Sequence, residues 1–297
     1  MIRATRSRWS ALLGGTASAL AMLLASANAS ATSGIMYAGI TTLTEDHYGT
    51  IVLAGDDTRL DCAGHYIYNS DQPAICGDEG TERCGVLVDW VDHGYVINCG
   101  VVGFDIGVDV RFSDRTTIRS NLIGGNTVGM RFYQYFGSQF SFIMDNWVIY
   151  NGEEGLNIDR TFNTLFLNNV IGGNGRDGAD LGDSQGNLFQ GNHVGGNTLN
   201  GIELDNSPSN SIINNTITQN GVGQTRNGIS LDGSRSFLIR GNTVTSNGRD
   251  GIRVTNGSNN GRVESNTASS NTEHDAHQAG SSGNVWTGNT FGTTSGI

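Results

Sequence analysis

Short apolar segments return along this chain at a nearly constant spacing, and each return opens with glycine. The pattern is glycine, an apolar residue, any residue and a second apolar residue. It occurs eight times, at Gly85, Gly107, Gly129, Gly155, Gly178, Gly201, Gly228 and Gly251. Successive openings lie 22 to 27 residues apart, and a repeat of that length is typical of a solenoid.

Asparagines recur in phase with these glycines and mark the corners between strands. One series is Asn121, Asn146, Asn169, Asn192, Asn215, Asn242 and Asn266, and a second follows five residues later at Asn126, Asn151, Asn174, Asn197, Asn220, Asn247 and Asn271. The spacing leaves room for two or three strands of about 3–5 residues in each repeat and none for a helix. We expect equivalent amides to bond to one another from coil to coil, as they do in cross-β stacks.

Apolar positions between the asparagines align in the same way. One column of them is Ile118, Ile143, Phe166, Phe189, Ile212, Ile239 and Val263. The pattern predicts an all-β fold, a single parallel β-helix of about nine or ten coils in which each coil contacts only its neighbours. A β-sandwich is the alternative, but it would need hairpin signals and longer alternating strands.

The first residues predict a secretory signal peptide. Three arginines precede an apolar run, and small residues then offer a cleavage site near Ala29 or Ala31. We therefore assign residues 1–31 to the signal and expect a secreted or periplasmic protein. No other segment is long and apolar enough to cross a membrane.

The rest of the chain, residues 32–297, is predicted to form one β-helix domain. The two ends of such a rod are open sheet edges, which native proteins cover. We expect caps over about residues 32–60 and 272–297.

Charge narrows the choice of partners. The chain has no lysine, and beyond the signal fourteen arginines face 28 acidic residues, for a net charge of −14. Nucleic-acid binding is excluded, because it depends on neutralising phosphates. A polyanionic ligand would need metal ions or a local arginine patch to offset this charge. Nothing in the sequence indicates an oligomeric state.

Four cysteines lie close together near the beginning of the repeats. In an exported protein they predict two disulfides, Cys62–Cys99 between stacked coils and Cys76–Cys84 within an insertion. Zinc binding is the alternative, although the spacings are wide and irregular for it.

The glycine openings, the paired asparagines and the segments TRLDCAGHYI and YVINCGVVGF resemble the right-handed parallel β-helix repeat family, over roughly residues 50–291. The resemblance implies a right-handed coil. It implies no single activity, because the family includes pectate and alginate lyases, mannuronan C5-epimerases, polygalacturonase-like hydrolases and phage tailspikes, and also a periplasmic protein of copper-enzyme maturation. In lyases of this fold the substrate lies along one outer sheet face, and we expect the same face to be used here.

Strand alternation predicts which side chains share that face. The second and fourth residues after each opening glycine point outward. These pairs are Leu87 and Asp89, Asp109 and Arg111, Arg131 and Tyr133, Asn157 and Asp159, Asp180 and Gly182, Glu203 and Asp205, Ser230 and Asp232, and Arg253 and Thr255.

One chemistry that this face could support is uronate lysis or epimerisation. It needs a base for the C5 proton and a cation for the substrate carboxylate. Arg111 and Arg131 could supply the cation, and Tyr133 could be the base or the acid. Asp159, with Asp109 and Asn157, could orient the sugar or bind Ca²⁺.

Glycoside hydrolysis by paired carboxylates is the other chemistry. Asp159 and Asp205 stand two coils apart, roughly 9–10 Å, which is near the inverting separation. Asp180 and Glu203 stand one coil apart, nearer the retaining separation. Asp232 extends the acidic row, and Tyr135 could stack on a sugar ring.

We therefore predict a β-helix protein that binds a polysaccharide on one outer face and acts as a lyase, an epimerase or a hydrolase. The alternative is a non-catalytic structural or interaction β-helix of the periplasm or cell surface. An outward row of carboxylates would also serve that alternative, because charge on a sheet discourages aggregation.

Overall fold

The computed structural model of the chain describes residues 34–36, 39–70, 76, 81–133 and 140–297. Within these ranges strands alternate with turns, and there is no helix. The strands build three parallel sheets that wind around one core, so the predicted all-β, right-handed parallel β-helix is confirmed. The predicted signal peptide and Tyr135 lie outside the described residues.

Each coil contributes one strand to each of the three sheets. Sheet A consists of β1 (Gly34–Met36), β4 (Ile51–Leu53), β7 (Cys84–Asp89), β10 (Ile106–Arg111), β13 (Val128–Tyr133), β16 (Leu156–Asp159), β19 (Ala179–Gly182), β22 (Ile202–Asp205), β25 (Ile229–Asp232), β28 (Ile252–Thr255), β31 (Ala276–Ala279) and β34 (Thr294–Ser295). Sheet B consists of β2 (Ile40–Thr42), β5 (Arg59–Asp61), β8 (Tyr95–Ile97), β11 (Thr117–Arg119), β14 (Phe142–Met144), β17 (Leu165–Leu167), β20 (Leu188–Gln190), β23 (Ser211–Ile213), β26 (Leu238–Arg240), β29 (Arg262–Glu264) and β32 (Val285–Thr287). Sheet C consists of β3 (His47–Tyr48), β6 (Tyr66–Tyr68), β9 (Gly100–Val102), β12 (Leu122–Gly124), β15 (Trp147–Ile149), β18 (Val170–Gly172), β21 (His193–Gly195), β24 (Thr216–Thr218), β27 (Thr243–Thr245), β30 (Thr267–Ser269) and β33 (Thr290–Phe291).

The opening glycine is required by the close approach of neighbouring coils. At Gly155 an added Cβ would lie 2.7 Å from the carbonyl oxygen of Gly178 and 2.7 Å from the Asn174 amide nitrogen. Real Cβ atoms do not approach this closely, so only glycine fits where the strand of sheet A begins.

Both asparagine series form continuous buried ladders, as the sequence predicts. The Nδ2 of Asn169 donates to the carbonyl of Ile143 at 2.8 Å and to Oδ1 of Asn192 at 3.0 Å. The backbone N–H of Asn169 donates to the same Oδ1 at 2.8 Å. Each amide therefore satisfies backbone groups at a corner that the sheets leave open.

The core runs unbroken between the sheets. The predicted apolar column is buried throughout, and the rings of Phe166 and Phe189 stack with centroids 4.4 Å apart. The ranges predicted as caps contribute strands themselves: β1 to β4 lie within residues 32–60, and β31 to β34 lie within residues 272–297.

The cysteines pair as the sequence predicts. The Cys62–Cys99 disulfide has an S–S distance of 2.03 Å and joins neighbouring coils, and Cys76 is bonded to Cys84. The backbone N–H of Cys99 donates to Oδ1 of Asn121 at 2.9 Å, so this cysteine ends the first asparagine ladder. Among the described residues there is no helix that could span a membrane.

Candidate functional site

The outward residues of sheet A form two columns along the rod. The first contains Leu87, Asp109, Arg131, Asn157, Asp180, Glu203, Ser230, Arg253 and His277, and the second contains Asp89, Arg111, Tyr133, Asp159, Gly182, Asp205, Asp232 and Thr255. Adjacent members are register partners in neighbouring strands. The face therefore has the order that the repeat predicts.

Asp109 is covered by its own neighbours. Its side chain has 0% exposure, and Arg131 donates to its two oxygens at 3.2 and 2.9 Å. The same guanidinium donates to Oε2 of Glu82 at 2.7 Å. In this arrangement the carboxylate faces Arg131 rather than solvent, so the role of Asp109 in sugar binding stays a prediction that its burial does not favour. Strand alternation correctly predicts that the Asp109 side chain points outward, but it does not show that a neighbouring side chain covers it.

The two arginines of this region already face carboxylates of the protein. Burial disfavours the charge on Arg131, but the hydrogen bonds to Asp109 and Glu82 outweigh it and raise the pKa of this arginine. Nε of Arg111 lies 3.7 Å from Asp109 and 3.8 Å from Asp89. Burial raises the pKa of Asp89, which Arg111 partly offsets. This part of the face is thus a compact ion cluster.

A small apolar cluster covers the neighbouring edge of the same coils. Its members are Cys76, Cys84, Leu87, Ile106 and Val128, and it is separate from the main core. The disulfide and Glu82 therefore close the first column in the coils that open at Gly85, Gly107 and Gly129.

Tyr133 and Asp159 are register partners in the second column. NH1 of Arg160 donates to the Tyr133 hydroxyl at 3.2 Å and lies 3.8 Å from Oδ2 of Asp159. Arg160 is therefore a cation beside the phenol, and Arg111 is the register partner of Tyr133 in the preceding coil. Arg160 follows its strand at a corner, which strand alternation does not assign to the face.

Asp180 and Glu203 form a carboxyl pair on the open part of the face. They are register partners in β19 and β22 and are half-buried. Burial, followed by the charges of Asp177 and Glu154, raises the pKa of Asp180 to about 6. Burial, followed by the charges of Asp177 and Asp180, raises the pKa of Glu203 to about 7. Groups with such values can exchange protons near neutral pH.

A buried polar edge borders the carboxyl pair and escapes the sequence prediction. It consists of the residues just before the opening glycines: Glu154, Asp177, Asn200, Asn227 and Asp250. The N–H of Asn200 donates to Asp177 at 2.7 Å, and the Asn200 amide donates to Oε2 of Glu203 at 3.0 Å. The signal was present, because this position is apolar in earlier coils, at Cys84, Ile106 and Val128, and polar from Glu154 onward.

The other predicted binding residues lie along the same open face. Asn157 stands between Arg131 and Asp180 in the first column. Asp205 is exposed in the second column, and its register partner Asp232 accepts a hydrogen bond from the Asn256 amide at 2.6 Å. Gly182 separates Asp159 from Asp205, so these two carboxylates are two coils apart, as predicted.

In the described part of the chain, two groups of side chains have the composition of metal ligands. Glu154, Asp177 and Asp180 each place a carboxylate oxygen within 4.8 Å of the others, a set of oxygen ligands that suits Ca²⁺. Asp250, His274 and His277 form a second group of the same size near the last coils, where Nδ1 of His274 lies 2.9 Å from Asp250. The predicted Ca²⁺ ligands Asp109 and Asp159 belong to neither group.

A pocket of about 230 Å³ lies on sheet B. Phe140, Phe142, Asn163, Leu165 and Gly186 line it. None of these five residues has a titratable side chain.

Comparison with known proteins gives similarity of fold. Residues 155–297 match a family described as right handed beta helix region, and no curated protein sequence matches the chain. The A-module of mannuronan C-5 epimerase AlgE6 from Azotobacter vinelandii is similar in structure, with a TM-score of 0.65 and 17% identity over 90% of this chain and 74% of that one. The periplasmic alginate epimerase AlgG has a TM-score of 0.63 and 14% identity over 87% and 78% of the two chains. The Dettilon tailspike protein gp208 has a TM-score of 0.60 and 13% identity over 86% and 62%.

Proposed function

We propose that this chain, whose fold is a right-handed parallel β-helix, binds a polysaccharide along sheet A and cleaves it with Asp180 and Glu203. The observation that carries the proposal is the carboxyl pair itself. Two register partners with pKa values of about 6 and about 7 stand on the open part of the face. At neutral pH the two groups share a proton, so one is an acid while the other is a base.

The chemistry follows from the order of the two pKa values. Glu203, which holds its proton longer, donates it to the glycosidic oxygen as the bond to C1 breaks. Asp180 attacks C1 and forms a glycosyl ester, since a separation of about 5 Å between adjacent strands favours retention. Water then displaces the ester at C1, and its proton returns to Glu203.

The neighbouring side chains orient the sugar and the acid. The Asn200 amide holds Oε2 of Glu203 and so directs the other oxygen of this carboxyl toward the substrate. Asn157, Asp205 and Asp232 lie along the same face and accept or donate hydrogen bonds to sugar hydroxyls. A polysaccharide without uronate groups is the ligand most compatible with a protein of net charge −11, because like charges repel.

Uronate lysis or epimerisation is the second candidate. Two of the similar structures are alginate epimerases, and Glu154, Asp177 and Asp180 have the composition of a Ca²⁺ site. Bound Ca²⁺ would supply the positive charge that a substrate carboxylate needs. Tyr133, which accepts a hydrogen bond from Arg160, and Asp159 would then act on the C5 proton.

We also propose that the protein works outside the cytoplasm. Two disulfides in a chain with no free cysteine suit the periplasm or the cell surface, where thiols are oxidised.

The test is a panel of neutral glucans and fructans, pectate and alginate, each incubated with and without Ca²⁺. New reducing ends without unsaturated uronate are expected from one neutral polymer. Glu203→Gln and Asp180→Asn should each lower the rate at least 100-fold, while both retain binding in affinity electrophoresis. Asp145→Asn is the matched control, because it removes the same charge at an exposed corner away from sheet A.

Other outcomes would overturn hydrolysis. Unsaturated uronate that appears only with Ca²⁺ and disappears with EDTA would establish the second candidate. Retardation on a polysaccharide without any product would leave a binding protein, which is the non-catalytic alternative.

A further inference from the structure

Three aromatic rings follow one another along one edge of sheet A. Trp90 and Phe112 occupy the corner that follows the strand in two consecutive coils, and Tyr133 ends the strand of the next. The ring centroids of Trp90 and Phe112 are 4.8 Å apart, and those of Phe112 and Tyr133 are 6.3 Å apart. Arg160 continues the row, with its guanidinium carbon 5.7 Å from the centre of the Tyr133 ring. We call Trp90, Phe112 and Tyr133 the aromatic ladder.

The backbone at these corners is unusual for aromatic residues. Trp90 has a φ of 55° and Phe112 a φ of 48°, both in the left-handed region. Later coils fill the same corner with Asp183, Asn206 and Gly233, which are the residue types that adopt this conformation readily. A bulky residue there is strained. Tyr150, at a corner of sheet C, has the same conformation, so the place of Trp90 beside sheet A is what distinguishes it.

The exposure of Trp90 distinguishes it from the aromatic residues of the core. Trp90 is 69% exposed, although burying a ring of this size would stabilise the fold. The side chain therefore presents a large apolar surface to solvent at a corner where a small polar residue would be more stable.

Because part of the first column is covered, a ligand can continue only beside it, where Trp90 lies. In the coils of Gly85 to Gly129 the first column is closed by Glu82, Arg131 and the Cys76–Cys84 disulfide. A sugar chain that leaves the carboxyl pair toward these coils cannot continue along the first column. The edge on which the ladder stands remains open beside it, as the exposure of Trp90 shows.

We propose that the aromatic ladder is a stacking subsite for a polysaccharide, and that it binds sugar units several residues away from the bond that reacts. The inference rests on the proposed use of sheet A for binding, and not on the cleavage step. Its ligand class is a chain of pyranose rings with apolar C–H faces, because such faces pack on aromatic rings. The rings follow the rod axis one coil apart, so a chain that lies on the ladder is parallel to the rod.

The distance along the rod predicts a dependence on chain length. Trp90 stands four coils before Asp180, which is roughly 19 Å at the strand spacing of a sheet. Only oligosaccharides long enough to span that distance can contact both Trp90 and the carboxyl pair. Short fragments bind at the carboxyl pair alone and do not sense a change at Trp90.

The test uses Trp90→Asn, which introduces the residue type that Asn206 and Asn256 show at the same corner. On the polymer retained in the panel, affinity measured by affinity electrophoresis should fall roughly ten-fold. Tyr150→Ser is the matched control, since Tyr150 is an aromatic with 60% exposure and a φ of 55° at a corner of sheet C. It should bind as the wild type does. Circular dichroism melting of each variant verifies that the fold is intact.

The same measurements separate this inference from the cleavage proposal. Glu203→Gln should bind normally and lose turnover, whereas Trp90→Asn should lose affinity for long chains and keep the turnover of short ones. Binding that is sensitive to Trp90 in a protein without turnover would support the ladder and refute cleavage. Equal affinity of Trp90→Asn and wild type for every chain length, with both proteins folded, would refute the ladder.

Discussion

The guanidinium of Arg131 lies over the carboxylate of Asp109 one coil away and donates to both of its oxygens. This pair places a negative charge with 0% exposure on what strand alternation describes as an outer face. The cation therefore stabilises the fold before any ligand is present, and its removal should be costly.

We expect Arg131→Ala to lower the free energy of unfolding by about 3 kcal/mol, because it leaves Asp109 buried with Arg111 as the nearest cation. Urea denaturation measures the loss. Arg235→Ala, at an exposed position, should change stability by less than about 0.5 kcal/mol. A variant of Arg131 as stable as the wild type but unable to bind polysaccharide would instead assign this arginine to the substrate.

The asparagine ladder should be most sensitive in its middle. Asn169→Ala removes the amide that donates to the Ile143 carbonyl and the oxygen that accepts from the backbone N–H and Nδ2 of Asn146, both at 3.0 Å. Nδ2 of Asn146 then keeps only its bond to the Ile118 carbonyl. We expect a loss of about 3 kcal/mol in thermal or urea unfolding. The exposed neighbour gives the control: Asn168→Gly should be nearly neutral, because Gly191 and Gly241 hold the same corner in other coils. Equal stability of the two variants would contradict the buried ladder.

The carboxyl pair should make stability depend on pH. In an unfolded chain, carboxyl groups lose their protons near pH 4. In the folded protein, Glu203 and Asp180 have pKa values of about 7 and about 6 and keep their protons to higher pH. The native state thus binds more protons between these limits, and the contribution of the pair to stability falls as pH rises from about 4 to about 7. Glu203→Gln should raise the melting temperature relative to wild type at pH 8, by an energy on the order of 1 kcal/mol after solvent screening, and have little effect at pH 4.

The control for this titration is Asp145→Asn, which removes a carboxyl at an exposed corner away from sheet A and should change the melting temperature little. If Glu203→Gln shifted the melting temperature equally at pH 4 and pH 8, the carboxyl of Glu203 would not retain its proton as described.

The two disulfides should differ in their effect on stability. Cys62–Cys99 joins positions 37 residues apart and Cys76–Cys84 joins positions 8 apart. From the entropy of loop closure, replacing the first pair by alanine should cost about 4 kcal/mol and replacing the second about 2.5 kcal/mol. Unfolding in urea under non-reducing conditions compares the two double variants. A larger loss for the shorter loop would show that burial of the apolar cluster, rather than chain entropy, dominates.

Most of the fold could be predicted from the repeat. Gly155, Asn169 and Phe166 could be placed from the sequence, because the close coil contact, the corner amide and the inward side chain each allow few residue types. The Cys62–Cys99 disulfide followed from the same register, and Cys76–Cys84 was predicted from the insertion that it closes.

The site was less accessible to prediction. Alternation placed Asp180 and Glu203 side by side, but it could not show that Arg131 covers Asp109 and is itself bonded to Glu82, since the second contact joins an irregular insertion to the sheet. Trp90 and Arg160 were not predicted as site residues, because they lie at corners, where the two-residue alternation of the strand ends. A search for residues that depart from the usual corner types would have found Trp90.

Because the coils are regular, the length of the β-helix can be changed by removing or adding whole coils. Residues 155–177 form one coil of 23 residues that begins and ends in the same surroundings. Excising them would join Glu154 to Gly178 and bring Asn146 beside Asn192, so each ladder would continue across the junction. The aromatic ladder would then stand about 5 Å nearer the carboxyl pair. The spacing between a distant sugar contact and the reacting bond is thus a quantity that this architecture can change in whole coils without redesigning either end.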